Sequence, residues 1–346
     1  MSFESFPLNI GWELTLKCNL RCNHCASAAG IPRADELTTE EALKICDQFP
    51  DLLVQEVDFT GGEPLLRSDW VEIAAHLREL GIATNILSNC LILDQATVSK
   101  LKQADISTVG TSLDGLEKTH DHIRGCVGSF AKVIRGIELL HNEGIQVIVI
   151  TTVNAVNISE LKGILDLLES LGVDSWRLQP LIPVGRANSF REMEMDESDL
   201  LSLGDFIKNW TPKAKTKGLK IICSDGLEYI DETWPQERPW LGCPAGWTTC
   251  GITSDGKIKG CLSLPDEIVE GDLRKNDLWD IWFNPKSFSY SRHFSHDQLG
   301  SNCDSCLKAD ECLGGCSSNS YAATGKFHND PYCYYKIKKT RESTKR

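Results

Sequence analysis

From residue 9 to about 185 this chain alternates a β-rich apolar run with a stretch of helical periodicity, and that alternation constrains its fold more than any other feature. The β-rich runs fall at 9–16 (N-I-G-W-E-L-T-L), 55–60, 82–88, 106–113, 145–153 and 173–179. Apolar residues at helical spacing occupy 39–48, 68–80, 94–103, 129–142 and 157–171, with Gly81, Gly144 and Gly172 standing at three of the stops. Six strands with five intervening helices predict a parallel α/β sheet with right-handed crossovers. Six units fit a partial (β/α)6 TIM-like barrel better than a closed eight-unit one. The 346 residues leave room for more than one core. The expected organisation is a barrel over 9–190, a bridging segment over 191–240 and a small cysteine-rich domain over 241–335.

In such folds ligands bind at the carboxyl ends of the strands, and the conspicuous residues fall there. Cys18, Cys22 and Cys25 follow the first run, Gly61-Gly62-Glu63-Pro64 the second, S-N-C the third and S-L-D-G the fourth; T-V-N and R-L-Q-P end the fifth and sixth. The C-x3-C-x2-C triplet supplies one ligand fewer than a structural zinc or a fully protein-ligated 4Fe-4S cluster needs. Three thiolates on a cluster leave one iron open to an outside ligand. Zinc with a distant fourth ligand stays open as an alternative, although His24, the nearest candidate, lies between two of the cysteines and would have to fold back into the same shell. Disulfides fit less well, because the 15 cysteines are odd in number and M-S-F-E-S-F-P-L-N-I carries no secretory signal. A cytoplasmic location, where clustered cysteines mean metal, is the expectation.

The formal net charge of −13 argues against a nucleic-acid partner, and no apolar run approaches the length of a membrane span. The basic run K-I-K-K-T-R-E-S-T-K-R at the end reads as a solvated, frayed terminus. Beyond Cys243 the chain is dense in cysteine and rich in Gly, Ser and Trp, with only short elements. A segment of that kind cannot bury a large core alone, so metals would have to hold it together. Its eight cysteines divide evenly into two sets of four, and zinc ribbons would use such sets as readily as clusters would. Cys46, Cys90, Cys126 and Cys223 match no motif and read as small buried hydrophobes.

The cysteine triplet closely resembles that of the radical S-adenosylmethionine enzymes, and G-G-E-P after the second strand resembles the motif that binds the cofactor's methionine amino group there. Glycines at that point let backbone N–H or C=O groups approach the ligand. Ser112 and, twelve residues on, Arg124 match positions that contact the cofactor in peptide-modifying members, an Arg fork suiting the methionine carboxylate. Asp114, His120 and Asp121 between them read as turn and cap residues. The family usually has an aromatic where His24 stands. The C-terminal array, including C-x12-G-x4-C from Cys243 through Gly256 to Cys261, resembles the SPASM extension with its two auxiliary 4Fe-4S clusters.

The resemblance implies three 4Fe-4S clusters and S-adenosyl-L-methionine. Cys18, Cys22 and Cys25 would hold the catalytic cluster, Cys243, Cys250, Cys261 and Cys316 the first auxiliary one, and Cys303, Cys306, Cys312 and Cys333 the second. It implies an oxidoreductase that abstracts hydrogen through a 5'-deoxyadenosyl radical and draws on an external flavodoxin- or ferredoxin-type electron donor. A ribosomally made precursor peptide is the expected substrate, although only seventeen residues precede Cys18, so a leader would dock elsewhere. The alternatives are an enzyme that modifies a cofactor or haem precursor and a non-catalytic iron-sulfur electron carrier. Sulfatase maturases carry an Asp base directly after the third auxiliary cysteine. Leu262 stands there in this chain and argues against that activity.

Overall fold

The computed structural model describes residues 5–227 and 242–344. Residues 228–240 of the expected bridging segment, residue 241 at the start of the cysteine-rich domain, the first four of the amino-terminal run and the last two of the basic tail lie outside them. Strand alternation sorts the barrel residues into two faces. Trp12 and Leu14 of β1 (Asn9–Thr15), Val57 and Phe59 of β2 (Glu56–Gly61), Ile86 of β3 (Ala83–Ser88) and Val109 of β4 (Thr108–Ser112) share one buried core. Val149 of β5 (Gln146–Val153) and Trp176 of β6 (Ser175–Pro180) join them. The intervening residues carry polar groups to the other face, where Asn85 donates to Asp58 at 2.8 Å and Gln179 to Thr152 at 3.1 Å.

The helices that cover the core are α1 (Thr39–Cys46), α2 (Trp70–Glu79), α3 (Gln95–Gln103), α4 (Glu117–Arg124), α5 (Ser129–Asn142), α6 (Leu161–Leu171) and α7 (Glu197–Thr216). A capping box formed by Thr38 and Glu41 starts α1, and Gly172 in the left-handed conformation ends α6. Two of these depart from the sequence pattern. α4 is strongly polar, so apolar spacing does not announce it. α7 runs on through the stretch W-T-P-K-A-K-T-K, which composition alone makes a linker, with Pro212 inside the helix.

The six-unit partial barrel is present, and its sheet is wider than six strands. β7 (Lys220–Cys223) adds in parallel to β6. At the other edge β8 (Thr249–Ile252) pairs in parallel with β1, and β9 (Lys257–Lys259) and β10 (Gly271–Asp272) follow antiparallel. The full order is β10-β9-β8-β1-β2-β3-β4-β5-β6-β7. The cysteine-rich region therefore begins as an extension of the barrel sheet, with Cys250 opposite Ile10. Among the described residues no helix is long and apolar enough to cross a membrane.

Candidate functional site

The loop after β1 closes on itself. Lys17 bridges to Gly30, Cys18 N–H donates to the Gly30 carbonyl at 3.2 Å and Gly30 N–H to the Leu16 carbonyl at 3.0 Å. Inside that closure the Cys18 thiol lies within electrostatic reach of both Cys22 and Cys25 and accepts from Leu20 N–H at 3.4 Å. Two other elements hold the loop. Asn23 N–H donates to the Ile123 carbonyl of α4 at 2.8 Å. From beyond β6, Arg186 reaches the carbonyls of Cys22 and Ala29, both at 2.8 Å, and its own N–H bonds the Cys25 carbonyl at 3.0 Å. Arg186 was not singled out in the sequence. The R-L-Q-P signal ends six residues before it, and nothing local marks it.

Behind the loop lies a buried charged wall. Arg124 Nη2 stands 2.5 Å from Asp114 Oδ2, its Nη1 donates toward Cys22 Sγ at 3.7 Å, and its Nε is buried without a partner. His24 Nε2 lies 3.4 Å from the same carboxylate oxygen. Burial pushes the Asp114 carboxyl up, but Arg124, His24 and His120 beside it bring the net shift below the usual carboxylate range. Burial drives both His24 and His120 down to about 4, so both rings are neutral at pH 7. Asp114 is thus an ion-pair partner, not only a turn residue. Asp121 does cap α5, accepting from Gly128 N–H, Phe130 N–H and the Ser129 hydroxyl. Ser112 ends β4 at the same mouth, half-buried and paired with Ile150.

The G-G-E-P loop runs against β1. Gly61 has φ 126°, and a Cβ on Gly62 would lie 2.2 Å from the Lys17 carbonyl oxygen, so only glycine fits. Gly62 N–H and Glu63 N–H donate to the carbonyls of Thr15 and Lys17 at 2.8 and 2.9 Å. Those two N–H groups are consumed within the fold, and any grip on a cofactor amino group falls to the carbonyls. Glu63 is fully buried. Its carboxylate accepts from Leu65 N–H at 3.3 Å and Asn89 N–H at 2.8 Å, tying the ends of β2 and β3 together, and burial pushes its carboxyl up to about 7. Pro64, also buried, starts the short turn that follows.

The tail cysteines form two further groups. Cys303, Cys306, Cys312 and Cys333 line one small cavity together with Gly314, Gly315 and Asp330. A Cβ on Gly314 would meet the His328 backbone at 2.4 Å. In the other group Cys243 lies within electrostatic reach of Cys261 and Cys316, while Cys250 joins through Tyr290, whose buried hydroxyl faces Cys243, Cys250 and Cys261 without a hydrogen-bond partner. Asp330 accepts from Cys316 N–H at 3.3 Å and so stands between the groups. Among the described residues no His, Cys, Asp or Glu group converges as a single metal ion would require. Four thiols lining one cavity are the donor set that a 4Fe-4S cluster takes.

Thiol acidity does not tell these cysteines from the rest. Burial pushes Cys250 and Cys333 up to about 12, but it does the same to Cys90, which packs in the core at 1% exposure. Grouping in space separates them. Cys46 and Cys90 are buried hydrophobes as expected, whereas Cys126 and Cys223 are only half-buried.

A cavity of about 330 Å³ opens between the cysteine loop after β1 and the tail group that contains Cys261. Ala26 and Ser27, next to Cys25, line one side, and Leu262 and Ser263, next to Cys261, line the other. The Leu262 side chain reaches over Gly11 of β1 and Gly251 of β8. The position where a base was looked for therefore does border the space between the groups, and it holds an alkyl group.

Comparison with known proteins agrees with this layout. The model of the Radical SAM superfamily matches residues 12–168 and that of SPASM, an iron-sulfur cluster-binding domain, matches residues 243–307. An AdoMet-dependent heme synthase of Methanosarcina barkeri is 32% identical over 97% of this chain and 99% of its own. The Fe-coproporphyrin III synthase of the same organism is 35% identical over 60% of this chain and 52% of its own. In fold, the crystal structure of Streptococcus suis SuiB bound to its precursor peptide SuiA superposes with a TM-score of 0.78 at 22% identity, over 95% of this chain and 76% of that one.

Proposed function

Because the chain belongs to the radical S-adenosylmethionine superfamily and carries a SPASM domain, we propose that it is an S-adenosylmethionine-dependent enzyme of haem synthesis acting on an iron porphyrin that bears carboxylate side chains. The observation that carries this reading is the similarity, along both whole chains, to a haem synthase. SuiB shares the fold at an identity too low to transfer its peptide substrate. The peptide reading therefore yields to the haem-precursor one.

The cavity chemistry supports the same choice. Haem carries vinyl groups where an iron coproporphyrin carries propionates. Turning one into the other removes a hydrogen atom from the carbon next to the ring, then carbon dioxide and one electron. The leaving group is neutral and no proton has to be accepted. Leu262 puts no base at the position after Cys261 on the cavity wall, and that reaction needs none there. The released electron has an acceptor within reach if the first tail group holds a cluster.

In this reading Cys18, Cys22 and Cys25 hold a 4Fe-4S cluster with one open iron, and the two tail groups hold one each, three in all. When bound, the first cluster and S-adenosylmethionine supply the 5'-deoxyadenosyl radical that takes the hydrogen. Arg186 and α4 fix the cysteine loop. Arg124, with its free Nε, and the carbonyls of the G-G-E-P loop orient the cofactor, and Ser112 borders the same mouth.

The test is anaerobic incubation of the reconstituted protein with S-adenosylmethionine, a reductant and iron-coproporphyrin III. The expected outcome is a porphyrin lighter by carbon dioxide and two hydrogens for each propionic acid side chain lost, one hydrogen taken as an atom and the other the carboxyl proton, with one 5'-deoxyadenosine formed each time. An unchanged porphyrin beside a co-encoded peptide that changes mass would return the substrate to the peptide class.

A further inference from the structure

Arg33 is the one cation among the described residues lining the cavity between the catalytic loop and the first tail group. Its guanidinium is gripped on two edges by carboxylates of opposite character. On one edge Nε donates to Glu13 Oε1 at 2.9 Å. Glu13 is almost wholly buried, and the same oxygen accepts from Ser254 N–H at 3.1 Å and the Ser254 hydroxyl at 2.8 Å. That carboxylate is fixed and sets the plane of the guanidinium. On the other edge Nη1 and Nη2 meet Asp266 Oδ2 and Oδ1 at 3.0 and 3.5 Å. The Asp266 side chain is 66% exposed, against 20% for Arg33.

The two edges differ in how readily they can be exchanged. Removing Glu13 would leave a buried charge without its partner, a large cost. Asp266 is itself largely exposed, so its carboxylate would pass to water on leaving the fork and not to a dry interior, as that of Glu13 would. Asp266 also keeps a second cation, Lys259 Nζ at 3.3 Å, whose side chain is 2% exposed. The fork facing the cavity is therefore preset for a carboxylate and occupied by one that is easily released. Asp255 Oδ1, 3.7 Å from Arg33 Nε, lies nearest the Glu13 edge and does not compete for the fork.

We propose that a carboxylate side chain of the substrate displaces Asp266 from Arg33, so that the buried Glu13–Arg33 pair selects an anionic substrate and positions the carbon chain carrying that carboxylate in the cavity. This deepens the haem-precursor reading and rests on it. Arg33 is then a binding residue, Glu13 a positioning residue and Asp266 a placeholder.

The experiment is an anaerobic Soret titration of the reconstituted enzyme with iron-coproporphyrin III and, separately, with its tetramethyl ester. The wild type should bind the free acid more tightly. Arg33→Gln should weaken the acid about tenfold or more, as loss of hydrogen bonds to a charged group does, and leave the ester unchanged. Asp266→Asn should bind the acid as tightly as the wild type or more so. If Arg33 is only a strut between the two halves of the chain, both variants weaken binding alike, and that result overturns the proposal. So does equal binding of acid and ester by the wild type. Failure of the wild type to bind either porphyrin overturns the haem reading itself and this one with it. Iron content and the thermal transition of each variant report whether its fold is intact.

Discussion

The barrel and the cysteine-rich tail reach order by different means. In the barrel, Trp12, Phe49, Phe59, Trp176 and many branched aliphatics pack into one continuous core. Between residues 299 and 333 the buried residues are largely polar: Ser317, Ser318, Asn319, Ser320, His328, Asn329 and Asp330. Most of their polar atoms pair with one another or with the backbone, Asn319 Oδ1 being an exception. Asn302 N–H donates to Asn329 Oδ1 at 2.8 Å, Tyr332 N–H to Asp330 Oδ1 at 2.9 Å, and the His328 ring nitrogens lie 2.6 Å from the carbonyls of Leu313 and Tyr290. Hydrogen bonds of this kind specify a shape but add little net stability. On that contrast the barrel should need metal for chemistry alone, and residues 299–333 should need it to fold.

Replacing Cys18, Cys22 and Cys25 together by Ala should abolish 5'-deoxyadenosine formation while leaving about two-thirds of the iron and the thermal transition of the barrel nearly unchanged. Loss of the barrel fold in that variant would erase the contrast. Stripping iron from the wild type should next collapse hydrogen-exchange protection over 299–333, because the binding energy of such sites is folding energy. Protection in β1 to β6 should persist, and β8, paired with β1, should stay with the barrel. Exchange measured before and after chelation draws that boundary residue by residue.

A third test probes the charged wall. Arg124→Ala leaves the Asp114 carboxylate buried beside two neutral imidazoles, which should cost about 3 to 5 kcal/mol in chemical denaturation as well as weaken S-adenosylmethionine binding. Arg124 and Asp114 replaced together by Met and Leu should recover most of the stability and none of the binding. The smallest effect is expected at Tyr290. If its unpartnered hydroxyl donates to a sulfur of the first auxiliary cluster, Tyr290→Phe should lower the midpoint potential of that cluster alone, read by EPR-monitored titration, with iron content unchanged.

The strands were legible to within two residues because their apolar runs are short, β-rich and bounded by turn residues, and the cysteine motifs because spacing carries their chemistry. Three things were not. Helix α4 is hidden because its buried residues include His120 and Arg124, whose burial depends on Asp114 and the cysteine loop. Strands β8 to β10 are two to four residues long and exist as a ladder begun on β1, some 240 residues away: β8 pairs with β1, β9 with β8 and β10 with β9. The roles of Arg33 and Arg186 arise from partners 233 and 164 positions distant, and no local pattern encodes such pairs. Glu63 shows the reverse case, a residue found through its motif that acts as a buried clasp between two strand ends.

β1 is hydrogen-bonded on both edges, to β2 and to β8. The catalytic loop springs from its end, and Cys250 lies on the neighbouring strand, opposite Ile10. The two walls of the cavity are therefore jaws without a hinge. Widening the gap between them means breaking main-chain bonds of a parallel ladder, not rotating a linker. The same rigidity fixes how far the cysteine loop after β1 stands from Cys250, whichever molecule lies in between.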